Sequence, residues 1–259
     1  MELVNTNEIL QKLLYCLQNK KPISLVRYGD GEAIILNGYK DVESLKAVYK
    51  RQFGFTPNLD EIDSIRMNLI SAYQNCDIIG SPLGKKVKDG DQSFWARSLE
   101  ILKLEAGLDV LNTDKINVSI DIHSHFLDKD YYNTLMINTK TINYISCRDL
   151  DEQLKRRYPN RVINRFLISP EAKFSTNTTG QKHYPDQFLA IEKWMDRAIN
   201  CEGALCLVGA GVVGKIYCNW FRDRGGVAMD VGSIMDSWSG YQTRGVDRGM
   251  NVIDLTHKL

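Results

Sequence analysis

The chain has no run of about 18 apolar residues that could cross a bilayer. It has no leading apolar stretch of the signal-peptide kind, no C-x-x-C pair, no internal repeat and no low-complexity segment. Charge of one sign is also missing: 33 basic residues meet 32 acidic ones, for a net charge of +1. The first absences argue against a membrane span and against secretion by the usual route. The balanced charge leaves no global field that would draw nucleic acid or an anionic membrane. Only four histidines are present, too few for a metal-dependent hydrolase of the barrel kind. Six cysteines stand scattered at 16, 76, 147, 201, 206 and 218, several inside apolar runs, as buried free thiols do. A reducing, cytoplasmic setting is therefore expected.

What is there is ordinary globular material: 259 residues, 43% hydrophobic and 25% charged, read as a single domain over 1–259. Apolar residues at helical spacing predict helices over 7–17, 59–74, 94–104, 149–158, 185–199 and 212–223. Short apolar runs predict strands at 23–27, 77–80, 115–122, 141–147, 162–168, 204–208 and 227–231. Residues 85–91 and 169–184 read as polar loops. The second, with Pro170, Phe174, Gly180 and His183, has the composition of a mobile loop that closes over a ligand. Strands alternating with helices argue for an α/β, Rossmann-like fold, a mostly parallel sheet with helices on both faces. The turns after the strands then gather along one edge.

One such turn is Arg27-Tyr28-Gly29-Asp30-Gly31-Glu32, directly after the strand at 23–27. Gly29 and Gly31 bend the chain sharply, and Asp30 and Glu32 place two carboxylates one residue apart. Carboxylates on such a turn suit a hard divalent cation, Mn2+ or Mg2+, and Arg27 beside them suits phosphate. The plain alternative is a solvated surface turn whose acids pair with Arg27. A second turn, Gly209-Ala210-Gly211-Val212-Val213-Gly214, follows a strand and opens a helix in the G-x-G-x-x-G pattern. Gly209, Gly211 and Gly214 let backbone approach a pyrophosphate at a helix N-terminus, and Lys215 adds a charge. Asp230, about 20 residues on, would serve the ribose of a dinucleotide. The alternative is a tight turn with no ligand.

His123 and His125 read as neighbours on one face of a strand, with Asp121 on the same face. They admit a zinc role, a substrate contact or a structural one. In Gly232-Ser233 and Asp236-Ser237-Trp238-Ser239-Gly240, Ser233 belongs to the turn and Trp238 reads either as a stacking surface for a base or sugar or as a core residue. Arg244 stands where it could reach phosphate.

Together the Asp-x-Glu turn, the glycine motif and the tail through Gly232-Ser233 and Asp236-x-Trp238-x-Gly240 resemble the GT-D fold of bacterial glycosyltransferases, over nearly the whole chain. The resemblance implies a nucleoside-diphosphate sugar donor, UDP-linked in this reading, and a divalent metal at Asp30 and Glu32. It implies a glycan or glycoconjugate acceptor and work in polysaccharide or protein-glycan assembly. Partners would include no nucleic acid, and the membrane would enter through peripheral contact with a lipid-linked acceptor. Arg27 and Lys215 would share the charge of the leaving diphosphate, His125 and His183 would touch substrate, and Asp121, Asp236 or His125 would be the base for an inverting transfer. The competing readings are an NAD(P)-dependent oxidoreductase resting on the glycine motif and Asp230, a non-catalytic nucleotide-binding subunit, and a zinc hydrolase at His123 and His125.

Overall fold

Short apolar runs become seven strands among the described residues: β1 (Ile23–Arg27), β2 (Ile78–Ser81), β3 (Ile116–Ser119), β4 (Thr141–Ser146), β5 (Val162–Leu167), β6 (Leu205–Gly209) and β7 (Val227–Asp230). In the computed structural model the described residues are 3–55, 58–83, 89–172 and 183–241, with backbone alone at 39 and 89–93. All seven strands join one parallel sheet in the order β3-β2-β1-β7-β6-β4-β5. A parallel sheet buries both faces, which is why β1, β2, β6 and β7 read as nearly unbroken apolar runs.

The helices are α1 (Thr6–Gln18), α2 (Asp30–Asn37), α3 (Val42–Phe53), α4 (Leu59–Asn75), α5 (Asp89–Ala106), α6 (Ile122–Asp128), α7 (Tyr131–Ile137), α8 (Asp151–Arg157), α9 (Phe188–Arg197), α10 (Gly214–Asp223) and α11 (Ile234–Trp238). Alternate strand residues divide between two cores. Val26, Ile79, Val208 and Ala228 meet α2, α3, α4, α9 and α10 on one face. Leu25, Ile78, Leu207 and Met229 meet α1, α6, α7, α8 and α11 on the other. Each fully buried aliphatic side chain contributes about 1.5–3 kcal/mol over its exposed state. Caps fix the helix starts: the Asn5 side chain accepts from Asn7 N at 2.8 Å, and Asn58 and Glu61 cap each other's backbone.

Three expectations are corrected here. The strand expected over 115–122 stops at Ser119, and His123 and His125 lie in α6. Ile122, His123, Phe126 and Leu127 are its buried residues, a helical spacing that overrides the short alternation before it. Residues 42–53 and 131–137, for which no element was expected, are helices α3 and α7. Of the two expected loops, residues 85–88 and 173–182, with Phe174 and Gly180, lie outside the described residues, and 89–91 already belong to α5. No helix among the described residues is long and apolar enough to cross a membrane.

Candidate functional site

The sheet order turns at β1 and β7. β1 runs on to β2 and β3 on one side, while β7 borders β6 on the other. Such a switch opens a crevice at the carboxyl ends of the strands. After β1, Gly29 leads into α2, so the Asp-x-Glu pair stands in the first turn of a helix. After β6, Gly211 adopts φ +58 and a short 3-10 turn leads into α10. Two helix N-termini, each with backbone N–H groups that lack helical acceptors, face the same crevice.

Beneath them lies a closed network of charge. Lys215 Nζ sits 2.5 Å from Glu32 Oε1, 3.0 Å from Asp230 Oδ2 and 3.0 Å from the Gly211 carbonyl. Two carboxylates and a backbone carbonyl thus surround the ammonium. Arg27 donates through Nε to the Asp230 carbonyl at 3.2 Å and through Nη2 to Asp230 Oδ1 at 3.3 Å, while Nη1 lies 2.9 Å from His123 Nδ1. Glu32 Oε2 accepts from Gly29 N at 3.0 Å. Gly232, at φ +53, closes over the Arg27 guanidinium, and a Cβ there would collide with Nη2. Glu32, Asp230 and Lys215 are 5% exposed or less. Two cations thus balance two carboxylates. Burial alone would raise the Asp230 carboxyl, but Arg27 and Lys215 hold it down at about 2. Burial likewise pulls the Lys215 ammonium down, and Asp230 and Glu32 outweigh it and raise it.

Above this floor is a cavity of about 510 Å³, within the usual range for small-ligand sites. Three cations (Arg27, Arg51, Lys215) and five carboxylates (Asp30, Glu32, Glu171, Asp230, Asp236) line it among the described residues. His183 forms part of the wall, 3% exposed, with Nε2 2.9 Å from the Tyr217 hydroxyl. Its burial lowers the imidazole to about 4, so the ring is neutral at physiological pH.

Of the residues expected at the site, Arg27, Gly29, Asp30, Gly31, Glu32, His183, Gly209, Gly211, Lys215, Ser233 and Asp236 line this cavity. Gly214 lies just behind it, where a Cβ would meet Val208 Cγ1 at 3.2 Å. Others are elsewhere. Trp238 is 3% exposed and packs edge-on against Tyr132 at 5.3 Å, so it is a core residue and not a stacking platform. His125 is exposed, two residues along a helix from buried His123, and neither they nor Asp121 line the cavity. Positions two apart on a helix point to different sides, which removes the shared face a zinc pair needs. Arg244 lies outside the described residues. Glu32 is no surface carboxylate: it is the buried partner of Lys215. Lys215 and Arg27 carry charge that the network has already matched. Asp230 has both oxygens engaged, by Arg27, Lys215 and Gly232 N, which takes away the ribose ligand of the dinucleotide reading.

Arg51 and Gln52 of α3 and Phe94 and Trp95 of α5 line the cavity without having been expected there. The signal for α3 was present: Asp41 as cap, Leu45, Val48, Tyr49 and Gln52 at helical spacing, and Gly54 at φ +79 as the stop.

The donor set for a divalent cation can be weighed from the same contacts. Among the described residues no three His, Cys, Asp or Glu side chains converge as a protein cage. Glu32 is committed to Lys215 and Gly29 N, whereas Asp30 is exposed at the cavity. Together with the acidic excess of the lining, Asp30 fits a cation held by one carboxylate, water and ligand phosphates.

The GT-D-like family, described as a GT-D fold-like domain, matches residues 4–238. No curated protein matches the chain. Three solved structures are similar in fold. A glycosyltransferase of the domain of unknown function 1792 from Streptococcus sanguinis has a TM-score of 0.54 at 16% identity, over 93% of this chain and 85% of that one. A structure described as giving domain 1792 a distinct glycosyltransferase fold has 0.53 at 15%, over 91% and 83%. A selenomethionine form of domain 1792 has 0.53 at 14%, over 93% and 89%.

Proposed function

The chain belongs to the GT-D-like family, and from that premise we propose that it is a glycosyltransferase. In this reading it takes a UDP-linked sugar as donor, uses Mn2+ or Mg2+, and passes the sugar to a glycan or glycoconjugate acceptor. The observation that carries the proposal is the convergence of two glycine-led helix N-termini, at α2 and α10, on one cavity at the switch point of the sheet. Backbone donors and aligned peptide dipoles there favour a diphosphate.

The residues divide the work. Gly29, Gly31, Gly209 and Gly211 let the backbone reach the phosphates. Asp30 holds the cation, which when bound supplies charge to the departing nucleoside diphosphate. Glu32, Lys215, Asp230 and Arg27 keep the two turns in register beneath the ligand. Of the three candidates for general base, Asp236 alone lines the cavity, and Arg148 Nε orients it at 2.7 Å. If the transfer inverts the anomeric centre, Asp236 takes the acceptor's proton. The oxidoreductase alternative loses its support with Asp230 bound in the floor.

Titration calorimetry with UDP, with and without Mn2+, tests the reading, together with donor-sugar turnover. Metal-dependent UDP binding that EDTA reverses is the expected result. Absence of any nucleoside-diphosphate binding in either condition would sink it.

A further inference from the structure

Arg27 and Lys215 are the cations that the glycine turns bring forward, yet both are already balanced by Asp230 and Glu32. A diphosphate entering the cavity brings new negative charge to a lining that already holds more carboxylates than cations. Some other protein group has to meet it.

Helix α3 supplies that group. Arg51 is exposed, lines the cavity and has no hydrogen bond or ion pair with any described residue. Its Nη2 lies 3.9 Å from where a Cβ on Gly31 would stand, over the first turn of α2. Gln52, the next residue, is 7% exposed, and its amide rests against Gly211, where any side chain would overlap it. Gln52 likewise has no hydrogen-bond partner among the described residues, and its amide is absent from the fully enclosed orphan polar atoms, so it opens to the cavity. Its polar end is thus turned to the cavity, where water or a ligand has to pair it. One residue therefore stands over each of the two glycine turns.

We propose that Arg51 and Gln52 form the diphosphate clamp of this protein. Arg51 offers its planar fork of donors to the phosphate lying over α2, and Gln52 gives its amide protons to the oxygens lying against Gly211. Arg27 and Lys215 are positioning residues that fix the turns and leave the ligand to α3. The clamp rests on the nucleotide-sugar reading for its ligand, but its chemistry is that of a diphosphate, whatever is attached to it.

The test is calorimetric titration of wild type, Arg51→Ala, Gln52→Leu and Lys50→Ala with UDP and with inorganic pyrophosphate, all in Mn2+. Arg51→Ala should weaken both ligands by about tenfold or more, as for a lost hydrogen bond to a charged group. Its melting temperature should stay unchanged, since the side chain is exposed. Gln52→Leu should also weaken both, and Lys50→Ala, a cation lost from the same helix outside the cavity, should weaken neither. Wild-type affinity in Arg51→Ala, or an equal loss in Lys50→Ala, overturns the clamp and leaves the glycosyltransferase reading standing. Pyrophosphate bound through Arg51 with no UDP binding would uphold the clamp and sink the donor reading. Wild type binding neither ligand overturns both.

Discussion

The floor and the rim of the cavity are both built from charged side chains, and they behave in opposite ways. On the floor, Arg27, Glu32, Lys215 and Asp230 are packed among backbone and each other, and every cation has its carboxylate. On the rim, Asp30 and Arg51 are exposed with no ion-pair or hydrogen-bond partner among the described residues. Taking a charge out of water is costly, so a buried charge survives only where the fold supplies its partner. An exposed charge bears no such cost and is left available. The lesson is that proximity to a cavity does not make a charge available to a ligand: the floor charges are matched to one another, and in the proposed reading the rim meets what enters.

Removing one floor charge should have the largest effect. Lys215→Met leaves Glu32 and Asp230 facing each other with only Arg27 to offset them, and should cost about 3–5 kcal/mol in stability. Urea denaturation would show it as a fall in midpoint with little change in slope. A variant as stable as wild type would show that the floor is not a balanced network.

Acid should separate the two regions next. His183 is held neutral in the wall at about 4, against 6.5 when unfolded. The unfolded chain then binds more protons between those values. Stability should be full above pH 6.5 and fall as the pH drops toward 4, by about 3 kcal/mol from this group. Asp230, held at about 2 against 3.8, adds a further loss as the pH falls below 4. Denaturation midpoints across that range check the slope. His183→Gln should flatten the upper part, and an unaltered slope in that variant would remove the imidazole from the account.

The rim should do the reverse. Asp30→Asn is expected to lower Mn2+-dependent transfer by about a hundredfold, within the range for a lost transition-state charge partner. Its denaturation midpoint should match wild type. Loss of stability with unchanged turnover would reverse the roles given to floor and rim.

The smallest effect belongs behind the floor. Trp238→Phe removes buried surface against Tyr132 and an indole N–H that has no partner among the described residues, so the cavity cost is partly offset and about 1 kcal/mol remains. UDP affinity should not move. A variant with normal stability and weakened UDP binding would return Trp238 to the site.

Much of the fold was legible. The strands at 23–27 and 141–147 and the glycine motif with its helix stand where their patterns put them, because apolar runs and glycine turns are local signals. Within 115 to 128 the expected strand runs too far because the eight residues 115–122 alternate like a strand before Phe126 and Leu127 reveal the longer period. Helix α3 was missed although its cap, its spacing and its stop were all in place, and with it went Arg51 and Gln52.

By itself, the sequence determined most of the strands and helices, that the central strands β1, β2, β6 and β7 would be buried on both faces, and that two glycine turns would follow strands. Local sterics, propensity and hydrophobic period act over a few residues and can be read from them. Which of the charges near those turns would be spent on one another was decided only by the tertiary structure. Glu32, Lys215 and Asp230 are far apart in the chain, and their pairing depends on β1, β6 and β7 lying side by side. Electrostatic partnership is set by distance in space and by exclusion of water, and neither is written along the chain.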